Sequence, residues 1–236
     1  MSFTSLLLVS TAAAAISAGP GHNHGGIPSA TSHMQEAPLA EPAGVETDED
    51  WDVSNPPMET REIAIDVTEG TWMSLDVSPD GQTVAFDLLG DIYTMPITGG
   101  AATPIASGLA WDFQPRFSPD GSQIAFTSDR AGGDNIWIMD VDGSDARQIS
   151  EESFRLLNSP AWHPSGDYIA ARKHFTTSRS AGTGEIWLYH TEGGNGVQLV
   201  ERPSEAVQQE QGEPASSPDG RYVSFTRAVS PGNTFT

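Results

Sequence analysis

The chain has 236 residues, with 11 lysines and arginines against 32 aspartates and glutamates, so its formal net charge is −21. With a single lysine (Lys173) and no basic run, it lacks the cations that neutralise phosphates, which excludes nucleic acid binding and disfavours anionic membrane surfaces. The absence of cysteine excludes disulfides, thiolate catalysis and cysteine-ligated zinc. This length suits one all-β domain of moderate size, or one domain and a tail.

Residues 1–18 contain a short apolar stretch that ends in small residues near Ala18. The stretch is too short and too often interrupted by Ser and Thr to span a bilayer. It resembles the apolar region and cleavage zone of a secretory signal peptide, although no Lys or Arg precedes it. We therefore expect a signal peptide over 1–18, a periplasmic or secreted location, and no membrane span.

Residues 19–60 are rich in Pro, Ala, Gly and acidic side chains, and the first basic residue of the chain is Arg61. Such a composition buries too little apolar surface to offset the conformational entropy lost on ordering. We interpret 19–60 as a disordered acidic linker ahead of the folded part, which begins at residue 61.

A tetrapeptide recurs four times in the rest of the chain, at spacings of 40, 45 and 54 residues. Proline presets φ, the Asp or Ser side chain bonds to the nearby backbone, and glycine tolerates a positive φ, so each copy predicts a tight reversal. A strand-like triplet begins six positions after the first residue of each copy. The copies are Ser78-Pro79-Asp80-Gly81, Ser118-Pro119-Asp120-Gly121, His163-Pro164-Ser165-Gly166 and Ser217-Pro218-Asp219-Gly220.

A third strand-like element follows in the first three copies, and a glycine-bearing turn and a fourth short strand follow that element. Four antiparallel strands every 40 to 50 residues are typical of a propeller blade. Apolar residues do not recur at helical spacing, which excludes a helical fold. Tyr93, Trp137 and Trp187 occupy equivalent places in the third element, so we expect them to pack between blades rather than to bind a ligand.

The repeats predict a partial β-propeller over 61–236, with blades at about 68–107, 108–151, 152–201 and a truncated one at 202–236. Three and a half blades cannot close a ring, because propellers have four to eight. The alternating segment 61–67 is expected to be the outer strand of the last blade of a complete ring. An open arc exposes a strand edge and an apolar blade face, so we expect a fragment or truncated gene product that needs more chain or a partner.

The Ser-Pro-Asp-Gly reversals, with their following strands, resemble the TolB-like propeller repeat from about Thr68 to the C-terminus. Segments 69–77, 87–93 and 172–175 are more particularly similar to the N-terminal propeller of secreted, metal-dependent amidohydrolases. In that family the propeller precedes an (αβ)-barrel hydrolase module. The resemblance implies a non-catalytic propeller that serves as a scaffold, or as an access or docking domain, for a hydrolase module absent from this chain. A zinc-type divalent metal is expected only in that module.

Other enzyme motifs are missing from the chain, so no catalytic residue and no metal ligand is expected in it. There is no Gly-x-Ser-x-Gly elbow, no His-Glu-x-x-His and no phosphate loop. The segment His22-Asn23-His24-Gly25 has the form of a barrel metal motif, but it precedes a linker instead of following a barrel strand. Asp140, Asp142 and Asp145 indicate hairpin turns rather than a calcium loop.

Two alternatives to the amidohydrolase interpretation stay open. One is a free-standing TolB-like periplasmic scaffold that binds other proteins. The other is the propeller cap of a serine peptidase of the prolyl oligopeptidase type, which also requires a separate catalytic domain.

A basic group, Arg172, Lys173, His174 and Arg179, stands out in the acidic chain as a candidate binding site. We expect it in the loop between the second and third strands of the third unit, which counts fourteen residues against five and nine in the first two units. Such a loop could attract an anion or an acidic partner surface. The alternative is that these charges balance neighbouring acids on a solvated loop.

Overall fold

A computed structural model describes residues 5–8, 52–153, 156–175, 183–201 and 212–227. All the regular secondary structure of this part of the chain is β-strand, and no helix capable of crossing a membrane occurs in it. The strands are β1 (Ser5–Leu8), β2 (Glu62–Ile65), β3 (Leu75–Val77), β4 (Thr83–Leu88), β5 (Asp91–Pro96), β6 (Thr103–Ala106), β7 (Asp112–Phe117), β8 (Gln123–Ser128), β9 (Asn135–Asp140), β10 (Arg147–Gln148), β11 (Leu156–Trp162), β12 (Tyr168–Phe175), β13 (Thr183–His190), β14 (Val197–Val200), β15 (Ala215–Ser216) and β16 (Val223–Ser224).

Sequence neighbours pair to form three four-stranded antiparallel sheets and one pair of strands, which we call blades 1 to 4. Blade 1 contains β3 to β6, blade 2 contains β7 to β10, blade 3 contains β11 to β14, and blade 4 contains β15 and β16. The first strand of each blade contacts the first strand of the next. The sheets are therefore arranged around a common inner edge, which confirms the all-β fold of about three and a half propeller blades.

The four predicted reversals occupy equivalent places, between the first and second strands of successive blades. In each of them the glycine N–H donates to the carbonyl of the first residue, at 2.8 to 2.9 Å. In the three Ser-Pro-Asp-Gly copies the serine hydroxyl also donates to the aspartate at 2.6 Å. These hydrogen bonds lower the pKa of Asp80, Asp120 and Asp219, since they stabilise the carboxylate form.

The hydrophobic core lies between blades and forms two clusters, as stacked sheets require. One cluster joins blade 1 to blade 2 and is centred on Ile92, Ile124 and Phe126. The other joins blade 2 to blade 3 around Ile138 and Ile169. Trp137 packs against the first cluster and Trp187 against the second, as expected. Tyr93 is buried but belongs to neither cluster: it stacks on Phe86 at the open face of blade 1.

The structure corrects the placement of the basic group in a loop. Residues Arg172, Lys173 and His174 lie within β12, paired with Ile186, Glu185 and Gly184 of β13. The strands of blade 3 run through the polar residues because backbone pairing does not depend on the polarity of the side chains. The connections between second and third strands therefore contain two residues in blade 1 and six in blade 2, and residues 176–182 in blade 3.

Strand β2 falls within the predicted outer strand 61–67, but it pairs antiparallel with β1 rather than with a propeller blade. After β2 the chain runs along the open face of blade 1. There Ile65 and Val67 line an apolar groove of about 270 Å³ together with Leu75 and Phe86. The predicted signal peptide contributes only β1 to the described residues, and residues 9–51, which include His22-Asn23-His24-Gly25, lie outside them.

Candidate functional site

One polar position recurs in the second strands of blades 1 to 3. It is occupied by Asp87 in blade 1, Thr127 in blade 2 and Arg172 in blade 3, each nine residues after the start of its reversal, and all three are buried. Asp87 bonds to the neighbouring blade, whereas the hydroxyl of Thr127 bonds to a side chain of its own blade.

Asp87 joins blade 1 to blade 2 by accepting two backbone hydrogen bonds. Its Oδ1 accepts the N–H of Ser74 at 2.8 Å, and its Oδ2 accepts the N–H of Gln114 at 2.7 Å. A carboxylate suits this place because it accepts several bonds and charge-assisted bonds are stronger than neutral ones. We call Asp87 with its two donors the Asp87 clamp.

The clamp continues into blade 3 through an amide. The Oε1 of Gln114 accepts the backbone N–H of Ser159 at 2.6 Å. Gln114 and Ser159 lie at irregularities of β7 and β11, and both have a left-handed backbone, with φ of 56° and 55°. A left-handed conformation costs about 1 kcal/mol or more for residues other than glycine. The inter-blade hydrogen bonds maintain this conformation at the inner edge.

A cleft of about 410 Å³ opens beside the Asp87 clamp, between blades 1 and 2. We call it the aromatic cleft; it is lined by residues 71–74, 87–90, 111, 113 and 114. Its apolar lining residues include Trp72, Leu89, Trp111 and Phe113. Clefts that combine apolar walls with a few placed polar groups are the usual form of a binding site.

The two indoles of the cleft are presented to solvent by backbone geometry. Trp72 is fully exposed and has a φ of 59°, a rare value for an aromatic residue. Trp111 is half-exposed and lies on the backbone of Gly90, where an added Cβ would come within 2.9 Å of its Cε3 atom. Its backbone N–H donates to Oδ1 of Asp129 at 2.7 Å. Backbone strain of this kind is concentrated at functional sites.

Buried carboxyl groups flank the cleft. Asp91, just after Gly90, accepts the Tyr93 hydroxyl at 3.1 Å and the N–H of Gly108 at 3.3 Å. Desolvation, with a smaller contribution from the charge of Asp112, raises the pKa of Asp91 from 3.8 to about 6. Asp112 is fully buried and forms an ion pair of 2.5 Å with Arg130.

The raised pKa of Asp91 makes the stability of the protein depend on pH. Folding favours the protonated carboxyl, so the free energy of unfolding is expected to fall as pH rises from about 4 through about 6. Asp91→Asn should abolish that dependence. Relative to wild type, the free energy of unfolding of the variant should rise by about 1 kcal/mol between pH 4 and pH 7, after allowance for solvent screening. An amide fits here, because Asn135 occupies the same position in blade 2.

Urea unfolding of both proteins at pH 4, 5, 6 and 7 measures this difference directly. Asp80→Asn, at an exposed turn, is the control. Its free energy of unfolding should still fall between pH 4 and pH 6, as that of the wild type does. Parallel curves for Asp91→Asn and wild type would contradict the role of Asp91.

The predicted basic group does not form one cluster. Arg172 and His174 share one face of β12, where Nη2 of Arg172 donates to Nδ1 of His174 at 3.1 Å. Lys173 lies on the opposite face, 2.7 Å from Glu152 and 4.0 Å above the ring of Trp187. Arg179 lies outside the described residues. Lys173 thus contacts residues of blade 3 and of its border with blade 2. Binding of a ligand or partner by the basic group stays a prediction.

The sequence alone did not identify the aromatic cleft. Trp72, Gly90 and Trp111 are far apart in the chain and meet only because blades 1 and 2 stack. The available signal was that these two tryptophans lie outside the aromatic position that recurs in the third strands. Within the described ranges, no three His, Asp or Glu side chains are grouped in a way that could hold a metal ion.

A model of the TolB beta propeller domain matches residues 56–234 of the chain. An uncharacterised protein of Agrobacterium fabrum is 36% identical over 96 residues, which cover 39% of this chain and 32% of that protein. A putative Tricorn-like protease C-terminal subunit of Sulfurisphaera tokodaii is 26% identical over 157 residues, which cover 66% of this chain and 17% of that protein.

Among solved structures, a putative TolB from Agrobacterium tumefaciens superposes with a TM-score of 0.55 at 26% identity, covering 71% of this chain and 62% of that one. TolB from Acinetobacter baumannii gives a TM-score of 0.50 at 20% identity over 70% of this chain and 39% of its own, a likeness of fold alone. The chain covers less than two thirds of the length of each of these relatives.

Proposed function

Because the chain belongs to the TolB β-propeller domain family, we propose that it is a non-catalytic scaffold that docks another polypeptide at the aromatic cleft. The observation that carries this proposal is the pair of exposed indoles, Trp72 and Trp111, held beside the Asp87 clamp. Large exposed aromatic side chains on a rigid support are the typical anchors of protein interfaces.

A hydrolase module is the partner that we propose first. The sequence resembles the propellers that precede amidohydrolase barrels, and a relative by sequence carries the name of a Tricorn-like protease. Both relationships connect this chain with proteins named for hydrolytic activity. The amidohydrolase assignment rests on the sequence resemblance, and the named relatives do not add to it.

A free-standing, TolB-like scaffold is the second candidate. It is favoured by the similarity of the chain to the putative TolB from Agrobacterium tumefaciens. For both candidates we propose a periplasmic or secreted location, which the apolar segment at residues 1–18 supports.

Site-specific photo-crosslinking tests the docking proposal in the cells that produce the protein. A benzoylphenylalanine at Trp72 is expected to give one discrete adduct, while the same group at Tyr222, which is also exposed, should give none. Identification of the adduct as a hydrolase supports the first candidate, and a non-enzymatic envelope protein supports the second. Absence of an adduct at Trp72 contradicts docking at the cleft. Metal-dependent turnover of peptides or N-acyl amides by the purified chain would contradict the non-catalytic role.

A further inference from the structure

Of the five tryptophans among the described residues, two have a cation on their rings. Trp137 has the guanidinium of Arg130 at 5.1 Å from its ring centroid, and Trp187 has the ammonium of Lys173 at 4.0 Å. Trp72 and Trp111 are the most exposed of them, and neither has a cation on its ring within the described part of the chain. The blades thus use cation–π contacts internally, and the aromatic cleft presents the same type of surface without the cation.

The electrostatic surroundings of the cleft favour a cation. Asp87 lines it, Asp129 is bound to the backbone of Trp111, and Asp91 and Asp112 directly follow lining residues. Among the described residues, Arg130 is the cation that forms an ion pair with one of these four carboxylates, and its partner is Asp112. A cleft with low-dielectric walls and one sign of charge concentrates ions of the opposite sign.

The overall charge of the protein acts in the same direction. The chain carries 11 basic and 32 acidic side chains, so its own cations provide little competition for the indoles. Indole is the side chain that attracts cations most strongly through its π face. The 410 Å³ of the cleft also exceeds the needs of one ammonium or guanidinium group, which leaves room for the residues on either side of it.

We propose that the aromatic cleft binds an arginine or lysine side chain of an extended basic segment in the docked polypeptide, by cation–π contact with Trp72 and Trp111. This inference rests on the proposed docking function and specifies its chemistry: the partner contributes the positive charge, and this chain contributes the aromatic rings and surrounding carboxylates. Because the surrounding carboxylates attract the cation at a solvent-exposed site, binding weakens as the ionic strength rises.

The direct test is a titration of the full chain, labelled with ¹⁵N, with a defined peptide while the indole N–H resonances are followed. Acetyl-Gly-Arg-Gly-Arg-Gly-amide is expected to shift the Trp72 and Trp111 signals saturably. The neutral peptide acetyl-Gly-Gln-Gly-Gln-Gly-amide should leave both unchanged. The Trp162 indole, which donates to the carbonyl of Arg116 at 2.9 Å, is the internal reference and should not move.

Four variants separate the cation–π contribution from general attraction. Trp72→Ala and Trp111→Ala should each weaken binding of the arginine peptide about five-fold, the size of one partly exposed cation–π contact. Tyr222→Ala removes an exposed aromatic residue from blade 4 and should bind as wild type does. Trp111→Phe should fall between wild type and Trp111→Ala, since a phenyl face attracts cations less than indole does.

Equal shifts with the neutral peptide, or unchanged affinity in both alanine variants, would overturn the inference. These results are independent of the crosslinking test. A partner crosslinked at Trp72 together with no response to the arginine peptide refutes the cation proposal and leaves docking intact. A response to the peptide without any crosslinked partner refutes docking in the cell and leaves the cation site intact.

Discussion

Gly143→Ala is expected to destabilise the protein far more than Gly81→Ala, although both glycines have a left-handed backbone. Gly143 has a φ of 89° and Gly81 a φ of 71°. A Cβ at Gly143 would lie 2.2 Å from the carbonyl oxygen of Ile105 in blade 1, whereas nothing lies within 4 Å of a Cβ at Gly81. The first substitution therefore adds an inter-blade clash with backbone to the conformational strain that both share.

The expected loss is about 1 kcal/mol for Gly81→Ala, from the positive φ alone. For Gly143→Ala we expect about 3 kcal/mol or more, because the turn of blade 2 must move away from the outer strand of blade 1. At about 2 to 4 °C per kcal/mol for a protein of this size, the melting temperatures should differ clearly. Urea unfolding followed by circular dichroism measures both losses. Equal losses would mean that blade 2 does not abut Ile105.

Asp87→Ala is expected to have the second large effect, because it breaks the Asp87 clamp. The substitution leaves the partly buried N–H groups of Ser74 and Gln114 without their acceptor, and Gln114 also loses support for its left-handed backbone. Two such unsatisfied donors imply a loss of about 3 kcal/mol in the free energy of unfolding. Asp87→Asn keeps one carbonyl oxygen as an acceptor and should lose about half as much.

Asp80→Ala is the matched control, since Asp80 is also an aspartate that accepts a backbone N–H, but at an exposed turn. Its loss should stay near 1 kcal/mol or below. Chemical denaturation of the three variants against wild type gives the order directly. An Asp87→Ala loss no larger than that of Asp80→Ala would show that the clamp does not join blades 1 and 2.

The repeat pattern predicted the parts of the fold that depend on local chemistry. Each Pro-Asp-Gly or Pro-Ser-Gly reversal carries its own turn signal, so the first and second strands of the blades could be placed from sequence. The places of Trp137 and Trp187 between blades likewise followed from repetition, whereas Tyr93, at the equivalent place in blade 1, lines the groove on the open face.

The candidate site could not be predicted in this way, because it depends on contacts between blades. Nothing local marks Gln114 or Ser159 for a left-handed backbone, since neither is glycine or asparagine. Trp72 and Trp111 are joined into one cleft only by the stacking of two sheets. A different reason applies to Arg172 and His174. The interval between the strand-like triplets places them in a loop, whereas pairing with β13 within blade 3 extends β12 through them.

The blades are repeats in sequence, but neighbouring ones fit together through unlike connections. The carboxylate of Asp87 accepts a backbone hydrogen bond from blade 2, and the side-chain amide of Gln114 accepts one from blade 3. Exchanging or duplicating a module would therefore leave a mismatched donor or acceptor at each new border. The hydrogen bonds between blades therefore depend on the order of the repeats along the chain. During folding, they favour the pairing of each blade with its correct neighbour.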